Sequence, residues 1–304
     1  MYLRAGMDRE RIKGIAAVVL GAASFGILST FVKKAYVQGF TLGEVTGVQA
    51  GFGVLLLWLV IGLIRLSNRN YLSKFAGTTP AWHIVLSGLS TGAVSILYYK
   101  SVQLVPASLG IILLMQYIWI GQLMEFIFFK TRISRKRMIG IVAILASTVL
   151  ATGLLEHGLK AVPLEGIVYG LLAATAYASF IMVSGRVGND HAPLQKSAYM
   201  IMGAFILVCI VLQPMSLLNR EVFVTIAPYG LLLSVFGTVL PPLLFSYGIP
   251  KIGVSLSNIL SYIELPVAVC MSYIVLKEQV SPLQFLGVAC ILVVVVLLNL
   301  NRKK

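Results

Sequence analysis

Acidic side chains are scarce in this sequence. Ten Asp and Glu stand against 24 Lys and Arg, and charged residues make up only 11% of the chain, under half the ~25% of an ordinary soluble domain. That scarcity excludes a water-soluble globular fold with a solvated surface. Cysteine is equally sparse. Cys209, Cys270 and Cys290 all lie inside apolar segments without CxxC or metal-ligand spacing, which excludes a disulfide framework and a structural zinc site. The three histidines, His83, His157 and His191, fall near expected helix ends or loops, so no proton relay through histidine is expected. There is no P-loop, GxSxG, HExxH or dinucleotide fingerprint, hence no built-in ATP hydrolysis or covalent catalysis. The chain does not read as an enzyme, and no cofactor or metal is expected.

What the sequence has in abundance is apolar length. Residues AVILMFWYC make up 59% of it and mean hydropathy is +0.94. Ten apolar runs follow one another, near 15–32, 43–66, 82–105, 107–129, 138–155, 166–187, 198–218, 227–248, 252–276 and 282–300. A run of ~20 residues at 1.5 Å rise covers a ~30 Å hydrocarbon core. The expected fold is an all-α integral membrane protein with ten transmembrane helices. With the N-terminus in the cytoplasm, 18 of the 24 Lys and Arg fall in cytoplasmic segments and six outside, which places both termini in the cytoplasm. The net charge of +14 therefore anchors the chain in a lipid bilayer and does not mark nucleic-acid binding. The run from Lys130 to Arg137 is read as an inside anchor.

The two halves of the chain resemble each other. An offset of 147 pairs Ser108 with Ser255, Ile112 with Ile259, Lys130 with Lys277, Ser134 with Ser281 and Gly140 with Gly287. Upstream it pairs Ser87 with Ser234 and Thr91 with Thr238, and near the start Gly14 pairs with Gly166 at an offset of 152. The repeats run over 12–155 and 163–300. Five crossings per repeat is an odd number, so the second copy enters from the opposite side, giving two inverted five-helix repeats, an arrangement that permits alternating access.

The run from Ile252 to Lys277 carries a carboxylate and a proline near its middle. At ~100° per residue, Ser257, Asn258, Ser261 and Tyr262 share one side of it with Glu264. A charge at membrane depth costs at least ~2.5 kcal/mol on the insertion scale and belongs in a bundle interior or a watered cavity. Pro266 removes a helical hydrogen bond and is expected to kink the helix. The structural alternative for Glu264 is pairing with a Lys or hydroxyl between helices.

The segments KTRISRKRMIG, LKEQVSPLQFLG, LYYKSVQLVPAS and IELPVAV, set in two five-helix repeats, resemble the EamA family of the drug/metabolite transporter superfamily over about residues 14–300. In that family the fourth and ninth helices commonly carry Glu-x-Pro or a bare Pro, and a Gly-Glu pair precedes the last helix of each repeat. Glu264 and Pro266 match the ninth-helix motif, and Glu278 the turn glutamate, with Lys277 in the glycine's place. In the first half Tyr117, Trp119 and Thr131 stand at the positions of Glu264, Pro266 and Glu278. The resemblance implies carriage of small metabolites without ATP, often export of amino acids or related compounds, in a bacterial inner membrane.

A substrate site is expected from Glu264, Asn258, Tyr262, Ser261, Tyr117, Gln116, Trp119, Tyr98, Tyr99 and Tyr177, where aromatic walls supply contact area and polar tips fix orientation. The expected partners are a small-molecule substrate, the bilayer and, as a candidate coupling ion, the proton. The oligomeric state is left open. Glu44 is read as favouring a helix N-terminus, and Glu278 as solvated or locally paired. The second reading is a non-transporting membrane scaffold or lipid-binding protein with a degenerate repeat.

Overall fold

A computed structural model describes residues 2–67, 77–130, 135–151, 163–184, 186–252, 257 and 260–300. Among these there are helices and turns and no strand. In chain order the α-helices are α1 (Tyr2–Val37), α2 (Leu42–Ser67), α3 (Ala81–Ser87), α4 (Leu89–Leu104), α5 (Ala107–Leu114), α6 (Tyr117–Phe129), α7 (Arg135–Ala151), α8 (Leu164–Ser184), α9 (Pro193–Leu212), α10 (Arg220–Ser234), α11 (Leu240–Ile252), α12 (Glu264–Met271) and α13 (Pro282–Leu300). Seven helical stretches are long and apolar enough to cross a membrane, and three shorter apolar ones cover Met138–Ala151, Glu264–Leu276 and Pro282–Val294. The expected continuous third and fourth runs are each divided, at Gly88 and at Met115–Gln116.

Helix ends follow local chemistry. Glu44 accepts from the Thr41 amide at 2.8 Å while the Glu44 amide donates to Thr41 Oγ1 at 3.3 Å, a capping box that starts α2. Ser281 and Gln284 make the same reciprocal pair before α13. Lys130 and Lys277, paired by the repeat, both take left-handed backbone angles, with φ 51° and 58°. That conformation explains why glycine suits position 277.

The bundle is held by close approach of small residues. The most extensive packing joins α1 to α11, α8 to α4, α13 to α7 and α9 to α2, followed by α1 with α12, α9 with α3 and α4, α10 with α2, and α8 with α5 and α6. A Cβ on Gly203 would fall 1.9 Å from the Val85 carbonyl, and one on Gly88 2.0 Å from that of Met200. Where α1 meets α11, a Cβ on Gly248 would lie 2.7 Å from the Gly14 carbonyl. Where α8 meets α4, Ser101 Oγ donates to the Gly166 carbonyl at 2.8 Å.

Outside the spans, the 186–192 connection clasps the start of α3. Asp190 accepts from Thr78 Oγ1, the Thr79 amide and Thr79 Oγ1 at 2.6–2.7 Å, and His191 Nε2 meets the Thr79 carbonyl at 2.8 Å. The hydroxyl and amide of Thr79, with the Thr78 hydroxyl, hold the Asp190 carboxyl well below the usual carboxylate range.

Candidate functional site

A cavity of about 410 Å³ lies between the two halves of the bundle, with wall residues from α1, α2, α4, α5, α8, α9, the α10–α11 junction and α12. Its floor and walls are mostly aromatic and apolar, and its polar groups are few. Glu264, Tyr98, Tyr99, Gln49 and Thr91 lie along it, and Lys196 and Ser197 reach it from the start of α9. Glu264 opens α12, and its carboxyl group interacts electrostatically with Tyr98, Tyr117 and Tyr177. Among the described residues no Lys, Arg or His forms an ion pair with it. The Thr91 hydroxyl is buried on the cavity wall without a hydrogen-bond partner among the described residues.

The backbone that presents Glu264 is tightened in a way the sequence explains. Pro266 has no amide to give the Tyr262 carbonyl, and that carbonyl accepts from Leu265 instead, at 3.2 Å. The helix changes from i−4 to i−3 bonding at Tyr262–Ile263, and Pro266 comes to rest in the first turn of α12, where a missing amide is tolerated. The expected kink is therefore a break that begins four residues before the proline. The first half has the same break without a proline. Gln116 donates to Leu113, Ile118 to Met115 and Ile120 to Gln116, matching Ile263 to Leu260, Leu265 to Tyr262 and Val267 to Ile263, all at an offset of 147. The Ile112 carbonyl released by this turn is taken by Gln116 Nε2 at 2.9 Å. Tyr117 and Glu264 thus occupy equivalent first positions of two half-helices, a form that membrane carriers use at binding sites.

A second irregularity sits across the cavity. Val235–Val239 is a π-helical turn, followed by Pro241 and Pro242, which cannot donate to the carbonyls of Gly237 and Thr238. Leu240 bonds the Val235 carbonyl, and the Phe236 carbonyl accepts instead from Ser24 of α1. Gly237 and Thr238 consequently face the cavity. Gly26 allows α1 to pass the site closely, since a Cβ there would lie 2.6 Å from the Glu264 carbonyl.

Of the ten side chains expected at the site, Glu264, Tyr98, Tyr99 and Tyr177 line the cavity. Tyr117 stands behind Tyr177, ring centroids 4.6 Å apart, and shares a hydrogen bond with Tyr262. Ser261 turns back to the Ser257 carbonyl at 2.9 Å. Asn258 lies outside the described residues. Gln116 and Trp119 lie elsewhere, in a separate, almost wholly apolar recess beside α7 and α8, where Trp119 Nε1 donates to Gln116 Oε1 and Gln116 Nε2 to Thr148 Oγ1, each at 2.9 Å. Glu278 is not simply solvated. Its carboxylate accepts from the Ala107 and Ser108 amides at 2.7 and 3.2 Å and from Ser108 Oγ at 2.8 Å, capping α5 from 170 residues away. Sequence reasoning missed Gln49, Ser95 and Lys196. Thr91 and Thr238 drew notice only as a matched pair of the repeat, and both prove to line the cavity. Among the described residues no three His, Cys, Asp or Glu gather as a metal site.

A helical bundle with seven stretches long and apolar enough to cross a membrane and a polar-tipped cavity between its halves has the form of a small-molecule carrier. Residues 12–153 and 164–300 each match the model of the EamA-like transporter family, and the chain belongs to that family of membrane transporters. It is 26% identical over 212 residues to the threonine/homoserine exporter RhtA of Escherichia coli, in strains K12 and O157:H7 alike, covering 69% of this chain and 68% of the relative. A solved crystal structure shares the fold with a TM-score of 0.58 at 13% identity, over 97% of this chain and 98% of that one.

Proposed function

We propose that this protein moves a small amine-bearing metabolite, an amino acid or a related compound, out across the bacterial inner membrane by alternating access. The observation that carries the reading is the Glu264 carboxyl group, set in a cavity within the bilayer without an ion-pair partner among the described residues. A substrate ammonium supplies that partner, aromatic faces attract it further, and the Thr91 hydroxyl offers a hydrogen bond. The exporter likeness supports amino-acid-like cargo and outward direction. A proton taking the ammonium's place on Glu264 would couple transport to pH.

The helix packing supports two inverted halves. Exchanging the first five crossings for the second carries the α1–α11 contact onto α8–α4, α1–α12 onto α8–α6, and α9–α3 onto α2–α10. It leaves α2–α9 and α7–α13 in place. Even the close approaches correspond, because the repeat offsets turn Gly14 on Gly248 into Gly166 on Ser101. With both termini cytoplasmic, the start of α9 lies at the inner end of the cavity and the α4–α5 hairpin at the outer end. A scaffold would have no use for such a cavity.

The test is transport in proteoliposomes against a panel of amino acids, sugars and nucleosides. Amine-bearing solutes are expected to move, and Glu264→Gln is expected to abolish pH-driven movement while leaving passive exchange. Unchanged pH coupling in Glu264→Gln removes the coupling role, and no transport of any amine removes the substrate class.

A further inference from the structure

Two charged side chains that do not line the cavity, Lys33 and Glu278, grip the α4–α5 hairpin beyond one end of it. The α4–α5 hairpin turns through Val105 and Pro106. Lys33 of α1 donates to the carbonyls of Val102, Gln103 and Val105 at 2.9, 3.3 and 2.9 Å, covering the C-terminus of α4. Glu278, in the turn before α13, covers the amides of Ala107 and Ser108 at the N-terminus of α5. Each charge has the sign that its helix end attracts, and each satisfies groups that would otherwise be orphaned. The hairpin is thereby tied at once to the first crossing and to the last turn of the chain. Val32, Ala35, Val102 and Ala107 around it are fully buried, and Tyr36 bonds the Tyr99 carbonyl just beneath. The opposite end differs: Pro193 on its rim is exposed, with Lys196 and Ser197 half-buried along the wall.

The repeat makes the asymmetry informative. The equivalents of Lys33 and Glu278 in the other half, at offsets of 152 and 147, are Gly185 and Thr131, which carry no charge. We propose that Lys33 and Glu278 are a charged latch, present at one end only, that closes the hairpin end and biases the resting carrier to open at the Pro193–Lys196 end. To open the hairpin end, α1 and the turn before α13 must leave it, and two helix ends lose their partners. At the other end the described polar ties, Glu10 with Lys251 and Asp190 with Thr78 and Thr79, hold the start of α1 and of α3 and do not cap a pair of facing helix ends. The two residues act as positioning residues for the transport cycle and make no contact with substrate. The inference rests on the two-halved carrier reading above, yet its readout needs no transported substrate.

The experiment uses the full chain with Cys209, Cys270 and Cys290 replaced by Ala, reconstituted in one orientation. Single reporters, Thr46→Cys towards the latched end and Ser197→Cys at the open end, are labelled with a membrane-impermeant maleimide from each side. In the parent protein Ser197→Cys is expected to react and Thr46→Cys to be protected. Glu278→Gln and Lys33→Met are expected to speed Thr46→Cys about tenfold, the effect of losing one charge-assisted hydrogen-bond set, and to slow Ser197→Cys. Lys33→Arg restores the parent pattern. Unchanged rates in monodisperse Glu278→Gln and Lys33→Met overturn the latch, as does a parallel rise at both reporters, which marks general loosening. Absence of amine transport by the parent protein, or unchanged pH coupling in Glu264→Gln, would leave this labelling pattern intact, so the two readings fail separately.

Discussion

Gly26 is the position where a single methyl group tests the architecture of the site most directly. A Cβ there would sit 2.6 Å from the Glu264 carbonyl oxygen and 2.9 Å from Val267 Cβ. Ordinary contact begins at 3.4 Å, so α1 and α12 must part by roughly 0.8 Å. Neither obstructing atom is the end of a flexible side chain, so the backbones themselves have to move. Overpacking of this kind costs about 1–3 kcal/mol. Gly62 is the matched control, since a Cβ on it meets nothing within 4 Å, and Ala there is expected to be neutral or to gain up to ~1 kcal/mol from helix propensity. The assay is thermal unfolding of the detergent-solubilised protein, followed by the loss of its monodisperse chromatographic peak. Gly26→Ala is expected to lower the apparent Tm by several degrees and to weaken amine transport, because the displaced segment carries Glu264. Equal Tm values for Gly26→Ala and Gly62→Ala would refute the close packing of α1 on α12 on which the whole site depends.

The remaining expectations concern other joints of the bundle. Asp190 has a depressed folded pKa, so its contribution is full above the unfolded value of about 3.9 and is lost as pH falls through the folded one. Protection of the Thr79 amide from hydrogen exchange should hold from neutral pH to about pH 4 and drop below it, while Asp190→Ala, which leaves that amide no side-chain acceptor, lacks protection throughout. Tyr99→Phe removes the hydrogen bond from Tyr99 to Gln49 and should cost about 1 kcal/mol, read as a lower Tm. Gly203→Ala places its methyl against the Val85 backbone and is expected to abolish the monodisperse peak, whereas Gly39→Ala, with no atom within 4 Å but φ of +90°, should cost only local strain.

Much of this fold is legible in sequence because hydropathy and charge placement are local properties, and much of the site is not, because cavities are made by faces from distant helices. The 147-residue offset was found in Ser, Thr, Gly and Lys matches, yet it also locates two identical changes of hydrogen bonding, at Met115–Gln116 and Tyr262–Ile263. Only one of these has a proline to announce it. Tyr117 and Trp119 are two residues apart, some 200° round a helix, so both could not face one cavity, and Trp119 pairs with Gln116, its i−3 neighbour, in the side recess. Gln49 and Lys196 carry no local signature at all. They reach the cavity because Gly88 and Gly203 let the third crossing meet α9 backbone to backbone, and because prolines 241 and 242 open the wall opposite. The acidic residue is conspicuous for its cost in lipid, and the structure shows where it sits: Pro266 lies in the first turn of α12, which Glu264 opens beside the cavity. The Leu265 and Val267 amides of that turn keep their bonds to Tyr262 and Ile263, so it is the cavity beside the turn, and not a set of orphaned amides, that makes room for the acid.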